Sequence, residues 1–301
     1  MSLFNKRETL TQNITYMGLM IAINVVAITL MTYVLPILFI PFVLIMPMTS
    51  TVVTLFCDKR YFLLYMFATI GICLLVTLNN ITDTLFYVIP STITGFIFGV
   101  IIEKRLSSVL AILFASLINV GLTYSFIPMI NLIYGQDMFY VVSSIFGLSN
   151  YQYLPFVIPS FILTLSIIQE TISYALIINE LPKMGIKNDE SEWENLSIYL
   201  GLFASFMSLI SYLFFPTFSY FFMLIALFFA VYEVFIIGYN KHWKALIIDG
   251  IIVLIFIVLF ALVYQYISKP YPLLLLNVLF DGFLIVSLVN NSLTKRTKSV
   301  E

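Results

Sequence analysis

Long apolar runs alternate with short polar gaps along almost the whole chain. The runs cover about residues 14–34, 37–56, 61–78, 85–102, 107–133, 154–179, 196–214, 218–238, 245–267 and 271–290. Each is close to the ~20 residues that a helix needs to cross a ~30 Å hydrocarbon core. Because lipid offers no partner for open backbone N–H and C=O groups, helix is the expected state of every run. The pattern therefore predicts an all-α transmembrane bundle of about ten spans.

Basic residues divide the gaps between the runs into two classes. Of the fourteen Lys and Arg residues, all but Lys269 fall in alternate gaps. These basic positions are Lys6, Arg7, Lys59, Arg60, Lys104, Arg105, Lys183, Lys187, Lys241, Lys244, Lys295, Arg296 and Lys298. Since Lys and Arg in short loops stay on the cytoplasmic side during insertion, the pattern predicts a multi-pass protein with both termini in the cytoplasm.

Composition agrees with a membrane protein and excludes several other classes. The chain is 61% hydrophobic and 10% charged, whereas a soluble domain carries about 25% charged residues. Its formal net charge of −1 gives no reason to expect a nucleic-acid partner. The lipid bilayer is the partner that the composition itself implies.

Motifs of enzymes and metal sites do not occur in the sequence. There is neither a GxxxxGK[ST] nor an HExxH motif, and the single histidine, His242, lies at a predicted membrane boundary. Cys57 and Cys73 form no CxxC pair, so neither a disulfide nor a zinc site is expected. We therefore expect no enzyme activity, no cofactor and no metal site.

The gaps also predict how the chain is divided. The most polar gap contains the acidic stretch 189–194 and predicts a cytoplasmic linker over 181–195. It separates a six-span domain, 1–180, from a four-span domain, 196–301. Pro41 and Pro47 fall inside the second span and predict a kinked or broken helix there.

Small residues spaced four apart occur in two of the predicted spans. Gly18 and Ala22 lie in the first span, and Gly95 and Gly99 lie in the fourth. Such spacing places a flat strip on one helix face, which lets a second helix approach closely. Packing within the bundle and contact with a partner protein both remain open.

Polar side chains inside predicted spans are the candidate ligand or proton sites, since each is costly in hydrocarbon unless it is paired or hydrated. They are Asp281, Asn277, Glu170, Gln169, Asn24 and Asn119. Asn277 precedes Asp281 by one turn and is expected on the same helix face. Glu233 and Asp249 lie nearer the predicted cytoplasmic ends and carry less weight. For Asp281 and Glu170, a structural hydrogen bond, a protonated acid and a ligand or proton role all remain open.

Two segments resemble known membrane-protein families. The opening Thr15-Tyr-Met-Gly-Leu-Met-Ile-Ala-Ile-Asn-Val-Val26 resembles the first helix of substrate-binding S components of energy-coupling-factor transporters. The link Leu181-Pro-Lys-Met-Gly185, the following Trp193, and four more spans that include Asp281 resemble the YybS-type family of uncharacterised bacterial membrane proteins. This resemblance implies a bacterial cytoplasmic membrane and an S-component-like six-helix first half. It implies no known ligand.

Three functions are compatible with these patterns. The favoured one is a transporter-like protein that captures a small molecule from outside and works with a partner energising module. The second is a non-transporting scaffold for other membrane proteins, in which polar residues serve only helix packing. The third is a self-sufficient proton-coupled carrier with Asp281 or Glu170 as its titrating group.

Overall fold

Every regular element in the described part of the chain is a helix, as seen in the computed structural model. The structure describes residues 6–34, 39–145, 154–186, 195–214, 216–239 and 280–289, together with Ile247, Gly250, Ile251, Leu254, Ile255, Val258 and Asn277. The all-α prediction is therefore confirmed for these residues.

Five helices in this part of the chain are long and apolar enough to cross a membrane. They are Leu10–Val34, Lys59–Val76, Leu78–Glu103, Ser108–Tyr134 and Ile158–Met184. Shorter apolar helices cover Pro41–Phe56, Leu196–Tyr212, Phe218–Val234 and Phe280–Val289. The predicted span 245–267 lies almost wholly outside the described residues, so the count of ten stays a prediction.

The helices are numbered here in chain order. They are α1 (Leu10–Thr29), α2 (Phe39–Phe56), α3 (Phe62–Val76), α4 (Ile81–Asp83), α5 (Ile89–Glu103), α6 (Ser108–Tyr134), α7 (Met138–Ile145), α8 (Leu154–Glu180), α9 (Leu196–Phe214), α10 (Pro216–Tyr239) and α11 (Phe280–Val289). Single π-helical turns follow α1 at Leu30–Val34 and precede α5 at Thr84–Val88. Short 3₁₀ turns lie at Lys59–Tyr61, Leu78–Asn80 and Leu181–Met184.

The chain forms two compact units. Unit 1 comprises Met1–Gln152 and Phe161–Glu192, and unit 2 comprises Tyr153–Ser160 and Trp193–Glu301. Unit 1 contains α1 to α7 and most of α8, while unit 2 contains α9, α10 and α11. The acidic stretch of the predicted linker lies outside the described residues.

The start of α1 is set by local sequence. Thr9 is the N-cap, and its hydroxyl accepts from the Gln12 backbone N–H at 3.3 Å while the Gln12 side chain accepts from the Thr9 backbone N–H. This reciprocal capping box satisfies two backbone donors that would otherwise lack partners. The helix therefore begins a few residues earlier than the apolar run by itself predicts.

Two apolar clusters with polar side chains between them form the core of α1, α2 and α3. One cluster is centred on Met17, Val53 and Phe62, and the other on Ile28, Val43 and Cys73. The buried polar side chains Asn24 and Thr49 lie between these clusters along α1 and α2. Asn24 and Thr49 therefore form a polar layer between the two apolar clusters of α1, α2 and α3.

Three expectations about gaps and breaks are wrong. The predicted gap at Asn79–Asp83 is helical, so this span begins at Leu78. The predicted gap 134–153 contains α7, which starts at Met138. The carboxylate of the preceding Asp137 accepts from the Phe139 backbone N–H at 2.9 Å. The two prolines do not break α2, which is continuous from Phe39 to Phe56, while a kink at Pro47 stays a prediction. Pro41 lies in the first turn, where no intrahelical donor is lost.

Hydrogen bonds identify the two ends of unit 1. At one end the Arg7 backbone N–H donates to the Phe56 carbonyl at 2.8 Å, and Lys59 forms an ion pair with Glu103 at the end of α5. At the other end the Thr32 hydroxyl donates to Asp83 at 2.7 Å. The basic residues of three separate gaps thus gather at the first end, which we call the basic end. This arrangement is the one that alternating spans require.

Cysteine labelling tests which face of the membrane the basic end occupies. Ser144 is exposed on α7. We expect Ser144→Cys to react with an impermeant maleimide on intact cells and Asn188→Cys to react only after permeabilisation. The native background should be low, because Cys57 and Cys73 are both buried and burial raises the pKa of the Cys57 thiol to about 11. The opposite labelling pattern would reverse the orientation.

Candidate functional site

Glu170 lies in the interior of unit 1 and is fully buried on α8. The Asn119 side chain on α6 donates from Nδ2 to Glu170 Oε1 at 3.1 Å, and Thr123 Oγ1 donates to Asn119 Oδ1 at 3.1 Å. The Thr94 side chain on α5 also interacts with this carboxyl group. Two residues that the sequence analysis named separately, Glu170 and Asn119, are therefore joined, and three helices meet at this point.

The second oxygen of this carboxyl group, Oε2, is buried and has no hydrogen-bond partner among the described residues. Three serine hydroxyls share this condition, those of Ser91, Ser116 and Ser173. Ser116 lies one turn from Asn119 on α6, Ser173 one turn from Glu170 on α8, and Ser91 one turn from Thr94 on α5. Residues three apart share a helix face, so all three serines lie on the faces that carry the joined residues.

We call Ser91, Ser116, Asn119, Glu170 and Ser173 the Glu170 cluster. A buried polar atom without a partner costs about 1–3 kcal/mol. In native proteins, ordered water, an ion or a ligand satisfies the hydrogen-bonding capacity of such atoms. Sequence reasoning missed the three serines, although their spacing of three from a polar residue in the same span was the available signal.

An aromatic pair lies on the side of Glu170 that is nearer the basic end. Phe98 and Tyr174 are both buried, and their ring centroids lie 5.1 Å apart in an edge-to-face arrangement. Phe98 follows Thr94 by one turn on α5, and Tyr174 follows Glu170 by one turn on α8. Since the C-terminal end of α5 is at the basic end, the rings lie between Glu170 and that end. Gln169, the neighbour of Glu170 in sequence, is only partly buried.

Asn24 belongs to a separate, satisfied network in unit 1. Its Nδ2 donates to the Tyr65 hydroxyl at 3.0 Å, and its Oδ1 accepts from Thr49 Oγ1 at 2.8 Å. Ser50 Oγ lies 3.3 Å from the same Tyr65 oxygen. The network links α1, α2 and α3, and both polar atoms of the Asn24 amide have partners. The geometry is that of a helix bridge.

A cavity of about 350 Å³ opens between α1 and α2, away from the Glu170 cluster. Its lining residues are Ala22, Ile23, Asn24, Val26, Ala27, Phe42, Ile45, Met46 and Thr49. None of these residues is charged, and Ile23, Val26 and Ile45 are exposed. The cavity is therefore an apolar groove on the surface of unit 1.

The two small-residue strips are placed differently. A Cβ built on Gly95 would come 2.2 Å from the Pro47 carbonyl oxygen, and one on Gly99 would come 2.5 Å from Thr54 Cβ. Gly95 and Gly99 therefore lie directly against α2. Gly18 is exposed, with nothing within 4 Å of an added Cβ, and Ala22 is exposed at the groove. No described helix of unit 1 therefore contacts the Gly18 strip.

Asn277 and Asp281 lie one turn apart in unit 2. Asn277 is fully buried, and its Nδ2 donates to Ser208 Oγ at 2.9 Å. Asp281 is partly buried, and its Oδ2 accepts from Ser205 Oγ at 2.9 Å. The Oδ1 atoms of both side chains are buried and have no hydrogen-bond partner among the described residues. We call these two residues the Asp281 pair.

Glu233 on α10 is the third buried acid and differs from the other two. Ser197 on α9 donates to its Oε1, and Ser287 on α11 donates to its Oε2 at 3.1 Å. Both carboxylate oxygens are therefore satisfied. Glu233 links α9, α10 and α11 as a structural hydrogen-bond node, while Glu170 and Asp281 each keep a free acceptor. Asp249 lies outside the described residues.

No family model, no curated protein and no solved structure matches this chain.

Proposed function

We propose that this chain is a ten-span protein of the bacterial cytoplasmic membrane, with both termini in the cytoplasm, that binds a small molecule at the Glu170 cluster in a transporter-like role. The observation that carries the proposal is the free Glu170 Oε2, together with three free serine hydroxyls on the helix faces that carry Asn119, Glu170 and Thr94. A carboxylate buried in the hydrocarbon region costs several kcal/mol unless a partner compensates it. A ligand that supplies hydrogen-bond donors and a positive charge would remove this cost.

The ligand class follows from the chemistry of the cluster. Glu170 is the single ionisable group in it, so a group with one positive charge would make the site neutral. A protonated amine also carries three donors, enough to reach the carboxylate oxygen and neighbouring serine hydroxyls together. We therefore propose a small molecule with a protonated amino group.

The aromatic pair favours one direction of ligand access to Glu170. Phe98 and Tyr174 lie on the basic side of Glu170, which the distribution of Lys and Arg assigns to the cytoplasm. The ligand would then enter from outside and be retained above the two rings. The sequence has no phosphate-binding motif, so an ATP-driven release step would need a partner energising module. Membership of the YybS-type family is part of the same proposal.

Purification from native membranes tests the proposal. The full chain, extracted in mild detergent, is expected to carry an amine-bearing small molecule that mass spectrometry detects after denaturation. The Glu170→Gln protein should lose that molecule, since it lacks the negative charge, whereas Asn24→Ala should keep it, since that network is separate. A preparation without any enriched amine, or one that Glu170→Gln leaves unchanged, would overturn the proposal.

A scaffold is the second candidate, and the exposed Gly18 strip is the observation that favours it. Gly18 and Ala22 present a flat surface toward the bilayer, and no described residue of unit 1 covers Gly18. A partner helix could approach closely there. Under this reading Gly18→Leu would remove a co-purifying membrane protein without changing thermal stability, while the Glu170 variants would have no effect on it.

A further inference from the structure

The orientation of the Asn277 amide is determined by its neighbours in unit 2. The Ser208 hydroxyl donates its single proton to the Ser219 carbonyl oxygen at 2.9 Å. Ser208 Oγ must therefore accept from Asn277, and the donor has to be the Nδ2 group. The amide carbonyl oxygen, Oδ1, is then directed away from Ser208. This atom is the buried oxygen that lacks a partner.

Asp281 is held in a comparable way. Ser205 donates to Oδ2, which leaves the buried Oδ1 as the free atom. Asp281 contacts Ser205 and Asn277 contacts Ser208, and these two serines lie three apart on α9, so both side chains pack against the same face of that helix. Two acceptor oxygens cannot hydrogen-bond to each other, and both are favoured by a positive group placed between them.

The chemistry of this pair selects a class of ligand. Carboxylate, amide carbonyl and hydroxyl oxygens are hard donors, which transition metals do not prefer over nitrogen and sulfur ligands. The pair contains one carboxylate, so a monovalent cation neutralises it and a divalent cation leaves an excess charge in the hydrocarbon region. Mg²⁺ also gives up its water reluctantly.

We propose that the Asp281 pair is a sodium-binding site. Asp281 Oδ1 and Asn277 Oδ1 are its ligands, and the Ser205 hydroxyl is a third oxygen available to the ion. The site lies in unit 2 and does not depend on the Glu170 cluster. A chain with both sites would have a sodium gradient available as an energy source. A proton on Asp281 Oδ1, donated to Asn277 Oδ1, is the competing occupant, and the test separates the two.

Thermal unfolding of the full chain in detergent is the first measurement. NaCl replaces choline chloride at constant ionic strength and constant pH. We expect the midpoint to rise by ~3 °C at saturating sodium, because a ligand that binds only the folded state stabilises it by mass action. Asp281→Asn should abolish the rise and Asn277→Ala should reduce it. Glu233→Gln, a matched change of a buried acid whose two oxygens already have partners, should keep it.

Direct binding of radioactive sodium to the unmodified protein is the second measurement and does not depend on how the variants fold. We expect saturable binding that excess unlabelled NaCl displaces and choline chloride does not. Absence of saturable binding would overturn the proposal, and so would a sodium-dependent midpoint that Asp281→Asn retains. A midpoint that responds to pH and not to sodium would assign a proton to the pair and also overturn it.

Discussion

Gly95→Ala is expected to destabilise the folded protein by about 3 kcal/mol, at the upper end of the usual cost of overpacking a core. The added methyl group would lie 2.2 Å from the Pro47 carbonyl oxygen and 2.7 Å from Ser50 Cβ. The nearest atom belongs to backbone, so no rotamer change can relieve the clash and α2 and α5 must move apart. The movement would also lengthen the 3.0 Å hydrogen bond from Thr51 Oγ1 to the Gly95 carbonyl.

The same substitution at other glycines is the control. Gly71 and Gly121 are helical, and nothing lies within 4 Å of a Cβ added to either. Alanine has a higher helix propensity than glycine by about 1 kcal/mol, so both variants should be as stable as the unmodified protein or more stable. Thermal unfolding of the three variants in one detergent gives the comparison. Equal midpoints for Gly95→Ala and Gly121→Ala would show that the α2–α5 contact is not tight.

Glu170→Gln is expected to raise the stability of the fold by about 1 kcal/mol while it lowers affinity for the amine ligand by ~10²-fold. The amide keeps the shape of the side chain, and its oxygen can still accept from Asn119. Its NH₂ group takes the place of the free Oε2 and supplies a donor where serine hydroxyls lack partners. Loss of the buried charge removes a further cost. A substitution that improves stability and removes function is typical of a binding site.

Glu233→Gln is the matched control for this prediction. Both oxygens of Glu233 accept from serine hydroxyls, so an NH₂ group at either position replaces an acceptor that is in use. We expect this variant to lose about 1 kcal/mol of stability and to retain ligand binding. Unfolding midpoints and ligand content measured on the same preparations separate the two variants. If Glu170→Gln and Glu233→Gln both raise or both lower the unfolding midpoint, the free oxygen of Glu170 does not have the effect on stability that we propose.

Particular residues show how far sequence reasoning reached at the candidate site. Glu170 and Asn119 were identified because each polar residue in an apolar run is conspicuous by itself. Their contact was not predictable, since they lie on separate helices and the register between helices depends on side-chain packing. Ser91, Ser116 and Ser173 were missed because serine in a membrane helix usually satisfies its own hydroxyl by donating to a carbonyl one turn back. Only packed neighbours reveal that these three do not.

The gaps show a different limit. Asn79–Asp83 was placed in a gap between two predicted spans because it interrupts the apolar pattern, yet it is helical. The Thr77 and Thr84 hydroxyls lie 2.7 Å apart, and Asp83 accepts from Thr32 in the π-helical turn after α1. One of these partners is distant from the gap in sequence. The other contact forms only once the chain is helical. Polar residues at that end of unit 1 thus form hydrogen bonds with other protein segments, which a hydropathy pattern along the sequence does not predict.

The sequence by itself predicted helices of membrane-spanning length, and the described residues are helical as predicted, because the length of each apolar run and the demands of the backbone in lipid are local properties. It also determined which acids carry an unusual cost. The tertiary structure alone decided that Glu233 is satisfied while Glu170 and Asp281 keep free oxygens. It alone decided that a side chain at Gly95 would clash with a backbone carbonyl, while one at Gly18 would meet no described atom within 4 Å. The physical reason is that hydrogen-bond completion and close packing are relations between helices, and they exist only after the helices have come together.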